Sequence, residues 1–414
     1  MAPHQAGKPA APDFLRIALI GGFYIFMAAW FIAPSRHNHH TIVYVAFLLP
    51  AFLHLLICTW NRDKAVLHGL KTLPYLALTV FLTYMVITTA WSDLAKEIPH
   101  YLKRLTVTLI FIYGVYIICR FEIRHFWGSL YASLLICVPW LVINLIFFPE
   151  EAFLSDRFKG ANAGLHYLLT GALLGAFFVL GLTRLIQLVE TKGFNIFNIA
   201  IFISGCTVFY AVLLTESRSA LLAFAATGVY WVISSRQITR FKWVVAGLSV
   251  VAAILLIPYI DLFISRGFSQ RFEIWGVTWQ WILERPWFGH GFDAEFILQV
   301  SSNEELYDAH NIHLEVLFEG GFVGGLLWLF FLGTIAWQGW RNRASELGKC
   351  LIALLIYSVS AKFFESRGIL SRPTEFWHLI WLCAGMAIAL ATVHPSRLPN
   401  THSCAPARET VSAQ

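Results

Sequence analysis

The chain has 414 residues, of which 58% are hydrophobic and only 13% charged, and its mean hydropathy is +0.65. Soluble domains carry roughly 25% charged residues, so a water-soluble globular enzyme is excluded and little room is left for a separate soluble domain. The formal net charge of +6 is modest, and no nucleic-acid partner is expected.

Apolar runs near the roughly 20 residues that cross a bilayer as helix recur along the chain. They predict an all-α polytopic membrane protein of about twelve spans. In order these lie near 14–33, 41–60, 73–91, 105–119, 126–148, 165–189, 194–214, 219–234, 241–264, 321–340, 348–364 and 375–393. The first run follows only a short tail and reads as a retained span rather than a cleaved signal peptide. The division is then a tail at 1–13, spans one to nine over 14–264, a long loop at 265–320, spans ten to twelve over 321–393, and a tail at 394–414. Both tails are polar and Pro/Ala-rich, and no internal repeat is visible.

An even number of spans places both termini on one side. The short basic loops "NRDKAVLHGLK", "RFEIRH", "SSRQITRFK" and "RNRASELGK" fall on that side, which makes it cytoplasmic. The opposite loops hold most of the acidic residues and the long loop at 265–320, so a periplasmic position in a bacterial inner membrane is expected for it. Of the seven cysteines none lies in that loop, so a disulfide framework is not expected.

The informative cations stand on the acidic side. Arg218 sits in "LLTESRSALL", Arg266 and Arg271 in "ISRGFSQRFEIW", Arg157 and Lys159 in "SDRFKGANAG", and Arg367 and Arg372 in "ESRGILSRP". A cation at the hydrocarbon edge is costly unless paired. One arginine is accounted for by pairing with Glu216, Asp261, Glu273 or Glu365, or by snorkelling to headgroups. Several on one face favour an anionic ligand, because the guanidinium fork matches phosphate oxygens and stays charged. A phosphate-bearing, lipid-linked substrate fits.

The stretch 305–325, "ELYDAHNIHLEVLFEGGFVGG", places His310 and His313 three apart, on one face if helical. A metal site there lacks an HExxH, a paired CxxC or a third ligand at a recognisable spacing. The acidic pair Asp293 and Glu295 is of a kind common in polar loops. A proton-transfer site asks less, since neutral imidazole is a competent base near pH 7. A pair of interfacial histidines bonded to loop carbonyls is the bland alternative.

His310-Asn311, then nine residues, then Gly321-Phe322-Val323-Gly324, resembles the H-[NSQ]-x9-G-x-x-G pattern of bacterial O-antigen ligases. "TESRSA" with Arg218, "SQRFEIW" with Arg271, and "ERPWFGHGFD" with Pro286, Gly289 and Gly291 are similar to that superfamily over most of 150–393. The resemblance implies a C-type glycosyltransferase-like (GT-C) fold with its large periplasmic loop between spans nine and ten. It implies an inverting transfer of O antigen from undecaprenyl pyrophosphate to lipid A-core oligosaccharide, with neither metal nor cofactor. His310 would be the base on the acceptor hydroxyl, and Arg218 and Arg271 would hold the pyrophosphate. Arg266 is added on local grounds. Asn311, His313, Arg157, Lys159 and Glu216 are supporting candidates. The O-antigen polymerases share the motif. So do the O-oligosaccharyltransferases, which generally carry a further region toward the C-terminus, expected to be lacking here. A twelve-span transporter would show related halves and midplane charges, and neither is expected.

Overall fold

The structure is a computed structural model that describes residues 11–161, 166–193, 195–234, 268–299, 305–366 and 368–393. It is almost wholly helical. Among the described residues eight helices are long and apolar enough to cross a membrane. These are α1 (Asp13–Ile32), α2 (Arg36–Trp60), α3 (Leu73–Trp91), α4 (Ile98–Phe121), α5 (Ile123–Phe147), α6 (Tyr167–Lys192), α7 (Ile196–Leu214) and, later, α10 (Ile312–Arg341). Two shorter apolar helices, α8 (Arg218–Ser234) and α12 (Trp377–Ala391), and α11 (Glu346–Lys362) complete the bundle. The amphipathic α9 (Phe268–Glu284) lies in the expected long loop. The ninth expected span, both terminal tails except the last few residues of the first, and Arg266 lie outside the described residues.

The helices pack as neighbours α1 on α5, α3 on α10, α4 on α12, and α8 and α6 on α11. Aromatic contacts tie the middle together: Phe26 meets Phe111 at 4.9 Å, and Phe111 meets Trp377 at 4.5 Å between ring centres. Phe14, Ile17, Leu76, Val80, Leu326 and Leu329 remain exposed although apolar. In water such a surface would be an association liability, whereas against lipid tails it is the ordinary solvent-facing surface. The association of the helices then rests on close packing and internal hydrogen bonds rather than on burial from water.

Three helix starts differ from expectation. Helices α2 and α4 begin at Arg36 and Ile98, earlier than their apolar runs, because polar residues, RHNHH in α2 and His100, Lys103 and Arg104 in α4, continue each helix ahead of the apolar run. The tenth span begins at Ile312 instead of 321. Asn311 caps it, its side-chain oxygen accepting from the backbone N–H of His313 at 2.9 Å and of Leu314 at 3.3 Å. Its glycine cluster is therefore a break within the helix and not its start: Gly321 has φ 63° and ψ −166°.

A second, smaller core sits over one end of the bundle. Ile274 and Ile282 on one face of α9 pack with Phe296, Leu298, Ala309 and Phe318. A two-stranded ribbon, β3 (Leu298–Gln299) with β4 (Glu305–Leu306), lies beside it; an earlier hairpin pairs β1 (Phe153–Leu154) with β2 (Arg157–Phe158).

Candidate active site

The break in α10 is closed by another part of the chain. A helix interrupted at Gly321 strands the carbonyls of Phe318 and Glu319 and the N–H groups of Phe322 and Val323, and unpaired backbone groups are costly at membrane depth. His290 and Gly291 donate to the two carbonyls at 2.8 and 2.9 Å, and the carbonyls of Pro286 and Trp287 accept from the two N–H groups at 2.7 and 3.2 Å. Tyr84 adds a hydroxyl to the Gly320 carbonyl at 2.6 Å. The backbones come close enough that a Cβ on Gly321 would lie 2.4 Å from Trp287 main-chain atoms, and one on Gly289 would lie 2.5 Å from those of Glu319. The segment "ERPWFGHGFD" thus fixes where the first turns of α10 stand, and with them His310.

His310 precedes the Asn311 cap in a left-handed conformation, φ 47°, which a non-glycine residue adopts at a cost. Asp308 holds it there twice: its Oδ1 accepts from the His310 backbone N–H at 3.0 Å and lies 2.8 Å from the ring Nδ1. The hydrogen bond assigns the proton to Nδ1 and leaves Nε2 as the free basic nitrogen. The Asp308 hydrogen bond raises the imidazole pKa above its ordinary value, against burial, which lowers it. Burial alone would push the Asp308 carboxyl up, but hydrogen bonds from His310 and Ser366 and the charge of His310 outweigh it and keep the carboxylate ionised far below its usual range. An oriented, strengthened base is the chemical content of this pair.

Arg271 lies within electrostatic reach of the imidazole, and further cations stand behind it. Arg271, in the first turn of α9, lies over the Phe364 ring at 5.2 Å and feels the charges of Glu365 and Arg218. Burial lowers its pKa from the ordinary arginine value, Arg218 acts in the same direction and Glu365 opposes them. Such a cation gains when an anion arrives. Arg218 opens α8, with Ser217 at its cap position bonding the Ser219 hydroxyl at 3.1 Å; the helix N-terminus adds its own positive end. Arg157 is aimed by the turn Ser155-Asp156, whose φ values of 49° and 65° are both left-handed. It bonds Glu216 at 3.3 Å and covers the Tyr167 ring at 4.8 Å. His166 lies within electrostatic reach of both Arg157 and His310. Glu365 is buried beneath this group, its Oε1 without a hydrogen-bond partner among the described residues; burial pushes its carboxyl up to about 7.

The structure therefore brings His310, Arg218, Arg271, Arg157 and Glu216 to one end of the bundle. Lys159 is adjacent, and the described contacts are those of its backbone, to Ala152 at 2.8 Å and to the Thr170 hydroxyl at 2.8 Å. Asn311 is a helix cap. His313 does not share the site: its Nδ1 accepts from the Trp328 indole at 3.0 Å, its Nε2 faces the Val359 carbonyl at 3.4 Å, and its ring packs on Phe363. The Asp293 carboxylate is taken by the Tyr101 hydroxyl at 2.8 Å. The Asp308–His310 pairing, with Ser366 behind it, was not read from the sequence, and Glu365 was read only as a partner for an arginine. The D-x-H spacing was the available signal for Asp308; Ser366 comes from a distant segment and had none.

Residues 199–329 match the family model described as O-antigen ligase, a span that includes Arg218, Arg271 and His310. The chain is 28% identical over 373 residues to an O-antigen ligase of Pseudomonas aeruginosa, covering 89% of each chain. It is 24% identical over 280 residues to a general O-oligosaccharyltransferase of Acinetobacter baylyi, covering 61% of this chain and 47% of that relative. With eight helices long and apolar enough to cross a membrane among the described residues and the match to the family model across residues 199–329, the chain is similar to the O-antigen ligases.

Proposed function

We propose that the protein transfers O-antigen polysaccharide from undecaprenyl pyrophosphate to lipid A-core oligosaccharide at the periplasmic face of the inner membrane, with both termini in the cytoplasm. The observation that carries this reading is the Asp308–His310 pair facing Arg271 and Arg218. His310 Nε2 takes the proton of the acceptor hydroxyl as its oxygen attacks the anomeric carbon of the donor sugar. The bond from that carbon to the pyrophosphate oxygen breaks, and the configuration inverts. Charge gathers on the departing pyrophosphate, where the forks of Arg218 and Arg271 and the α8 N-terminus stabilise it more than they stabilise the ground state. Arg157, held by Glu216 and Tyr167, lines the same side, and Arg266 remains a candidate for the donor. Proton and charge are both handled by side chains, so the reaction is proposed to need no metal.

A second reading, transfer to a protein, is favoured by the similarity to the O-oligosaccharyltransferase; polymerisation onto another lipid-linked glycan would use the same geometry. Deletion in the native host separates them. Loss of a ligase leaves bare core with lipid-linked polymer accumulating, loss of a polymerase leaves core capped by single repeat units, and loss of a protein glycosylator leaves lipopolysaccharide unchanged. Unchanged lipopolysaccharide would remove the proposal.

A further inference from the structure

At the same end of the bundle a cavity of about 470 Å³ is lined by Arg36 and the neighbouring His37 and His40, by Arg104 and by Arg372. These come from three separate segments: the start of α2, the second turn of α4, and the loop between α11 and α12. The described lining contains no carboxylate; its other polar groups are the hydroxyls of Ser371 and Thr374, 3.3 Å apart. Arg104 Nη1 is buried with no hydrogen-bond partner among the described residues. His40 is 7% exposed, and neither of its ring nitrogens completes a hydrogen bond among the described residues, although the Pro373 carbonyl lies nearby. Three guanidinium groups converging with no carboxylate in the described lining are unfavourable at a membrane surface unless an anion completes them. Arginine forks and hydroxyls together suit a tetrahedral oxyanion such as a phosphoryl group.

The cavity shares no residue with the His310 site, yet one loop serves both. At its start the Glu365 carbonyl accepts from the Ile312 N–H at 3.1 Å, and Ser366 bonds Asp308; Leu370, Ser371, Arg372 and Thr374 then line the cavity. We propose that this cavity is a second anion site, which takes a phosphoryl group of a lipid seated in the same leaflet as the donor: on the reading above, on which this identification rests, a phosphate of the lipid A-core acceptor. The donor diphosphate and the acceptor phosphate would then be held separately, one by Arg218 and Arg271 and one by Arg36, Arg104 and Arg372.

The test uses the full chain in detergent or nanodiscs and the variants Arg104→Gln, Arg372→Gln and Arg104→Lys, each checked for an unchanged melting temperature. With phosphorylated lipid A-core the Gln variants are expected to raise the acceptor KM by about tenfold each, leaving the donor KM unchanged, with Arg104→Lys intermediate. With enzymatically dephosphorylated lipid A-core they are expected to match the wild type. An equal loss with both acceptors, or a raised donor KM, would overturn the proposal. Native mass spectrometry supplies a readout independent of transfer, titrating phosphorylated lipid A-core, phosphatidylglycerol and inorganic phosphate in parallel. Lipid A-core binding weakened by the Gln variants supports the site. Preferential weakening of phosphatidylglycerol or of inorganic phosphate would reassign it to a bulk headgroup or a free ion and overturn the acceptor assignment. Binding that no variant changes removes the site. Should the wild type bind lipid A-core through these arginines yet transfer nothing to it, the functional reading fails and the site stands.

Discussion

At the scale of single residues the chemistry rests on an asymmetry between two histidines three positions apart. His310 has one nitrogen committed to Asp308 and the other free, whereas His313 is enclosed by Trp328, Val359 and Phe363. Because the Asp308 hydrogen bond raises the His310 pKa, the acidic limb of kcat/KM should lie above the ordinary histidine value of about 6.5, with activity falling as pH drops through it and the imidazole is protonated. Asp308→Asn removes the charge and keeps the shape. We expect the acidic limb to move to lower pH and kcat to fall by about 10²-fold or more, measured as a pH–rate profile; an unshifted limb would dissociate His310 from that titration. Arg218→Lys keeps a cation but loses the fork, so transfer should drop at least about tenfold, and near-normal transfer would remove the bidentate role. The arginines were legible in the sequence because charge on the wrong side of a membrane is conspicuous, and His310 through the H-[NSQ]-x9-G-x-x-G resemblance. The pairing of Asp308 with His310 was not, since bonding across a two-residue turn depends on a left-handed φ that sequence does not display.

At the scale of elements the decisive object is the interrupted α10 and the segment that repairs it. Gly321 and Gly289 have positive φ and face each other's backbones, so a side chain at either is strained twice. Gly321→Ala and Gly289→Ala should each cost on the order of 1–3 kcal/mol or more, seen as a lower melting temperature together with lost transfer. Gly333, in the same helix with nothing within 4 Å of its Cβ position, is the control: Gly333→Ala should be neutral or stabilising by up to about 1 kcal/mol. Equal effects at 321 and 333 would refute the account of the break. Asn311→Ala should cost about 1 kcal/mol and loosen His310 beside it. Sequence reading located Gly289 within the long loop and took Gly321 as the start of a span. The hydrophobic run does begin there, and only the Asn311 cap with its polar first turn shows that the helix starts nine residues earlier.

At the scale of the whole molecule the described helices form a bundle of apolar, membrane-length elements that brings Arg157, Arg218 and Arg271 to the end where His310 stands. The gathering itself is a tertiary fact. Arg157 comes from a hairpin after α5, Arg218 from the start of α8, Arg271 from α9, and the loop bearing Glu365 and Ser366 from beyond α11. Composition and charge asymmetry reported which face these residues share, because the bilayer reduces their placement to one dimension. Which of them touch was not legible, since helix packing in lipid is decided by shape rather than by hydrophobic pattern; the cavity between Arg36, Arg104 and Arg372 is of that kind. The central claim is a metal-independent transfer with His310 as base, and its most direct measurement uses purified protein with lipid-linked O antigen and lipid A-core in excess EDTA. The account predicts transfer by the wild type and none by His310→Ala, with donor binding retained in both. Near-wild-type transfer by His310→Ala, or a wild type silenced by the chelator and restored by a divalent cation, would contradict it.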